Sequence, residues 1–164
     1  MVFGMSLATY TLIHVVISLV GIGSGLIVLV GMLGGKRMDG LTALFLVTTV
    51  LTSVTGFGFP FEHVTPGIIL GVLSLIVLAI CIPARYMFHM AGRWRAIYVV
   101  TALIALYFNC FVLLVQSFQK VPALHALAPK GNEPPFLIAE GILLVLFVAF
   151  GIQAVKKFHP VQIA

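Results

Sequence analysis

The sequence predicts an all-α bundle of five transmembrane helices, and three observations carry that prediction. Hydrophobic residues make up 62% of the 164-residue chain and charged residues only 8%, whereas soluble domains use about 25% charged residues to cover their surfaces. Apolar runs long enough to cross a ~30 Å hydrocarbon core, which takes ~20 residues, recur along the whole chain, and the mean hydropathy is +1.23. Seven of the nine Lys and Arg residues fall on one side if there are five spans. The chain thus reads as one transmembrane domain over residues 1–164.

The first span is read over residues 8–33 and ends at Gly34-Gly35-Lys36-Arg37. No basic residue precedes it, it is too long for the apolar region of a signal peptide, and no A-x-A-like site follows, so it is expected to stay on the chain. The second span covers 41–59. The third, 66–89, opens at Thr65-Pro66, a capping residue followed by proline at the first helical position. Pro83 lies late in that span, where a kink is expected. The fourth covers 95–118. The fifth, 135–156, opens at Pro134-Pro135, with Asn132 or Glu133 placed to cap it.

Lys36, Arg37, Arg85, Arg93, Arg95, Lys156 and Lys157 share one side; Lys120 and Lys130 share the other. The positive-inside rule then puts the N-terminus outside and the C-terminus in the cytoplasm. This placement accounts for the net charge of +5 without a nucleic-acid partner. Tyr10, Phe59, Phe61, Tyr86, Trp94 and Tyr98 are expected to form interfacial belts.

Lipid offers no hydrophobic drive between helices, so packing faces are recognised by small and weakly polar residues. His14, Ser18, Gly21 and Gly25 recur at spacings of four, three and four, which places them on one stripe. Gly67, Gly71 and Ser74 mark the third span. Thr48, Thr52 and Thr55 mark the second. The fourth carries Tyr98, Ala102, Ala105, Asn109, Val112 and Gln116, and the fifth Glu140, Leu144, Phe147 and Gly151.

Strongly polar groups within spans are costly and face an interior or a wet cavity. His14, Gln116 and Glu140 lie toward the outer boundary, with Asn109 deeper. The outer loops add Glu62 and His63 in "GFGFPFEHVTP", and His125 and Glu133 in "QKVPALHALAPKGNEPP". Pro122 and Pro129 bracket "ALHALA", read as a short interfacial helix with Leu124 and Leu127 turned to the bundle. The expected ligand-binding set is therefore His14, Asn109, Gln116, Glu140, Glu62, His63 and His125 around an outward-facing polar pocket, with His14 and Glu140 within direct or water-bridged hydrogen-bonding range. The competing reading is a structural hydrogen-bond cluster joining the first, fourth and fifth spans.

No GxSxG, HExxH, P-loop or paired carboxylate at helical spacing is present, so an enzyme is not predicted. Cys81 and Cys110 form no CxxC, and no close spacing of ligands marks a metal site. A haem b held by two histidines needs a facing pair at matched depth, and only His14 lies clearly within a span.

The runs "TLIHVVISLVGIGSG", "LTSVTGFGFPFEH", "ALYFNCFVLLVQSFQKVPALHALAP" and "NEPPF" resemble a group of small proteobacterial polytopic integral membrane proteins. That resemblance implies a bacterial membrane location and assigns no activity. The tryptophan-rich translocator proteins share the size and span count, but a single tryptophan, Trp94, and no common motif set this chain apart.

The sequence therefore points to a non-enzymatic inner-membrane protein that binds, and in one version transports, a small hydrophobic or amphiphilic ligand such as a lipid or quinone. The alternative is a structural or accessory subunit of a membrane complex, working as a homo-oligomer or beside a partner subunit. The third reading is a haem-binding electron carrier.

Overall fold

The computed structural model describes residues 4–60 and 65–159, and these form six helices. They are α1 (Leu7–Leu33), α2 (Asp39–Gly56), α3 (Pro66–Tyr86), α4 (Arg93–Lys120), α5 (Pro122–Leu127) and α6 (Pro134–Lys157). All but the short α5 are long and apolar enough to cross a membrane. The observed helices match the five predicted spans to within three residues at each end, and α5 falls where the proline-bracketed segment was read as helical.

Local chemistry sets the boundaries. Ser6 caps α1 by accepting from Thr9 N–H at 3.1 Å, and Thr65 caps α3 by accepting from Ile68 N–H at 3.4 Å. Gly35 takes a φ of +67° after α1, a conformation that costs a residue without Cβ little. The expected side-chain cap of α6 is not made. Glu133 is the N-cap residue, but its carboxylate turns back to the loop and accepts from Lys130 N–H and Asn132 N–H.

α4 stands at the centre, packed by α1, α2, α3, α5 and α6. Its predicted stripe is the buried one: Tyr98, Ala102, Ala105 and Asn109 are all buried. Tyr98, Ala102 and Ala105 share one core with Leu78, Cys81, Phe45 and Leu106, and a smaller cluster of Phe118, Ala128 and Phe136 fastens the α5 loop over the ends of α4 and α6. Outside this core lie rows of exposed Leu, Ile and Val, the surface a lipid-facing bundle presents.

Gly25 shows why small residues stand at the crossings. A Cβ there would come within 2.6 Å of Leu106 Cδ1 and 2.8 Å of Phe45 Cδ2. At Gly21 it would meet Thr48 Oγ1 at 3.0 Å, and at Gly71 it would meet Phe57 Cζ at 3.2 Å. Gly67 departs from the prediction: it is exposed, and a Cβ would find only Thr65 Oγ1 at 3.7 Å. It sits in the first turn of α3, before that helix reaches its neighbour. Leu144 is likewise exposed, because α6 turns Leu143, Phe147 and Ala154 inward instead. Tyr10 and Tyr98 are buried and so belong to the interior, not to an interfacial belt.

Candidate functional site

The helix ends fall into two groups. The basic end holds the α1–α2 and α3–α4 connections and the end of α6; the polar end holds the start of α1, the end of α2, α5 and the start of α6.

At the polar end, His14 answers to α2. Its Nδ1 lies 2.7 Å from Thr55 Oγ1. The Thr55 hydroxyl also donates to the Leu51 carbonyl at 2.7 Å, so it bridges the backbone of its own helix and the imidazole. The Phe59 ring stands edge-on to His14 with centroids 5.1 Å apart, and Tyr10 O–H donates to the Thr55 carbonyl at 2.7 Å. Ser18 donates back to the His14 carbonyl at 2.7 Å. The bonds of His14 and Tyr10 to Thr55 clamp α1 to α2.

Deeper in the bundle, Asn109 Nδ2 donates to Thr49 Oγ1 at 3.1 Å, joining α4 to α2. Gln116 is half-buried on α4, and His125 is exposed on α5. Leu124 is half-buried as expected, but Leu127 is exposed. Glu62 and His63 lie outside the described residues.

Glu140 makes a different contact. Its Oε1 accepts from the Tyr107 hydroxyl of α4, while its Oε2 is buried with no hydrogen-bond partner among the described residues. His14 and Glu140 therefore make no direct hydrogen bond, each turning to a different helix, and the polar residues do not converge on one pocket. The reason lies in α4. Tyr107 and Asn109 are two residues apart, which on a 3.6-residue turn points them in nearly opposite directions. Asn109 faces α2, whereas Tyr107 faces α6, so α4 separates the two groups.

Tyr107 was missed in the sequence. The signal was a hydroxyl at the middle of a span, which needs a partner when kept from water. Aromatic rings surround it: Phe147 edge-on at 5.6 Å, with Phe108 and Phe111 tilted at 6.1 and 6.3 Å. Glu140 thus holds one unpartnered carboxyl oxygen beside a hydroxyl, within apolar aromatic walls between α4 and α6. Among the described residues no three of His, Cys, Asp and Glu gather as a metal site.

The basic end was also underread. Arg85, counted in the sequence only as a charge setting topology, is 1% exposed at its side chain and pairs through Nη2 with Asp39. Its guanidinium stands 5.0 Å from the Tyr98 ring centroid and 5.6 Å from that of Tyr86. Arg95 Nη1 donates to the carbonyls of Val155 and Phe158 at 2.7 and 2.8 Å, satisfying the open end of α6.

Comparison with known protein families, curated proteins and solved structures finds no match for this chain.

Proposed function

We propose that this is a non-enzymatic membrane protein that binds a small amphiphile between α4 and α6, the ligand's polar head meeting Glu140 and its apolar body lying along Tyr107, Phe111 and Phe147. The observation that carries this reading is Glu140 Oε2, buried and unpartnered beside a satisfied Oε1. Leaving a buried polar group unmatched costs ~1–3 kcal/mol, and a head group with a hydrogen-bond donor would remove that cost. The edge of the site faces lipid, since Leu137 and Leu144, about one turn to either side of Glu140 on the same helix, are exposed, so the ligand enters from the bilayer. The basic bias supports an orientation with the N-terminus outward, in which Glu140 lies in the outer half of the membrane; we read that membrane as a bacterial inner one.

The test uses two probes of equal chain length, dodecylamine with a donor head and dodecanoate with a carboxylate. Dodecylamine should raise the melting temperature of the detergent-solubilised protein more than dodecanoate does. The difference should vanish in Glu140→Ala and persist in His14→Ala. Equal effects of both probes on the unsubstituted protein would count against the site.

A second reading rests on α6. Only 11% of its apolar window is buried, against 44% for α1, so an accessory subunit would dock through this helix. Native mass spectrometry separates the readings, since a retained partner or second copy supports this one and a retained small molecule the first.

A further inference from the structure

A groove of about 470 Å³ runs between α2 and α3, lined by Ala43, Val47, Val50, Leu51, Ile82 and Tyr86. That volume falls within the ~300–1,000 Å³ of small-molecule sites. The lining runs from Ala43 to Leu51 on α2, ~12 Å at 1.5 Å per residue, most of the ~15 Å depth of one leaflet's hydrocarbon.

Its lower limit is what gives it chemistry. Ala43 lies one helical turn beyond Asp39, on the same face. Tyr86 is adjacent to Arg85, whose guanidinium pairs with Asp39 and stands over the Tyr86 ring. Arg37 Nε also reaches Asp39 Oδ1, at 2.6 Å. Two arginines thus meet one carboxylate at the mouth of the groove, leaving one positive charge in excess. Arg37 keeps both terminal nitrogens without a partner among the described residues, and exposed Lys36 precedes it.

We infer that this groove holds one acyl chain of an anionic phospholipid, with its phosphate on Arg37. The charge at the mouth is complementary to a phosphate and sits where the interface must be if the apolar lining lies in hydrocarbon. The lining also argues against a partner helix in the groove. Helix seams in lipid use small residues for close approach, whereas this one offers branched Val, Leu and Ile with a single alanine. The inference is independent of Glu140, which lies on the far side of α4 from this groove's helices.

Fluorescence quenching tests it. Trp94 is the only native tryptophan, so a Trp94→Phe background carries one reporter at a time. Val47→Trp places it in the groove, and Val148→Trp places it on α6 at comparable distance from the basic end. Each protein is reconstituted in phosphatidylcholine vesicles with a small fraction of either chain-brominated phosphatidylglycerol or chain-brominated phosphatidylcholine. One basic side chain near a membrane surface corresponds to about a fivefold preference. The expected result is such a preference for brominated phosphatidylglycerol at position 47 and none at 148. Arg37→Gln removes it by deleting the charge, and Ala43→Leu reduces it by narrowing the groove. Equal preference at both reporters, or a preference at position 47 unchanged by either substitution, overturns the site.

Discussion

The two ends of this bundle hold their helices together by different means. At the basic end, charged side chains reach across long stretches of sequence: Arg85 to Asp39, and Arg95 to the carbonyls of Val155 and Phe158. At the polar end the ties are pairs of neutral or hydroxylic groups, His14 with Thr55 and Tyr10 with the Thr55 carbonyl, and one carboxyl oxygen of Glu140 is left open. The contrast follows from solvent. An arginine near a membrane surface can bury its stem and still find an acceptor at the rim, so the residues that orient the chain also fasten it. A polar group farther inside must settle for what the adjacent helix presents.

The largest expected effect comes from breaking the basic end. Asp39→Ala leaves the Arg85 guanidinium buried without its partner, which should lower unfolding free energy in detergent by about 3 kcal/mol. That is the lower part of the usual range, because Asp39 itself is 61% exposed and water can take part of its place. Replacing both partners, as Asp39→Ala with Arg85→Met, should recover much of the loss. A double variant no more stable than Asp39→Ala would show that the arginine stabilises by packing alone.

Next in size is the crossing of α1 with α4. Gly25→Leu overfills a contact already closed to a single Cβ and should destabilise by about 1–3 kcal/mol. Gly67→Leu, on open surface in the same kind of motif, should leave stability unchanged. Equal effects at the two glycines would contradict the packing described for α1.

These two glycines also show how far the sequence can be read. Length and hydropathy reveal the spans because a bilayer demands ~20 apolar residues of any helix, and a buried stripe such as Tyr98–Asn109 follows from the 3.6-residue turn. Which helix meets which does not follow, since lipid is as apolar as the partner. Gly25 and Gly67 look alike until α4 is seen beside only one of them. For the same reason depth alone pairs Glu140 with His14: α1 and α6 do touch, but His14 turns to Thr55 of α2 and Glu140 to Tyr107 of α4. Arg85 and Arg95 were legible as charges on one side, but a count of charges carries no information on their acceptors.

A smaller effect is expected from Arg95→Met. It removes two charge-assisted bonds to the end of α6, of which ~1.5 kcal/mol should be lost. The loss should be local, appearing as faster amide exchange in the last turn, at Phe158 above all, whose N–H bonds Ala154 at 2.8 Å. Uniform acceleration along α6 would instead make Arg95 a global support.

The smallest effect should come from the polar end, and it tests the comparison most directly. Interhelical side-chain hydrogen bonds in membranes contribute only ~0.6 kcal/mol on average, because the separated helices also find partners. A double-mutant cycle over His14→Phe and Thr55→Val isolates the 2.7 Å bond between them from the packing each side chain provides. Phenylalanine keeps the ring against Phe59, and valine keeps the branched shape at Thr55 while deleting the hydroxyl. The coupling should fall near ~0.6 kcal/mol, well below that of the Asp39–Arg85 pair measured in the same detergent. A coupling as large as that of the ion pair would mean that the polar end is fastened as firmly as the basic one. His14 would then be a principal support of the fold, and the difference between the two ends would lie in chemistry without a difference in strength.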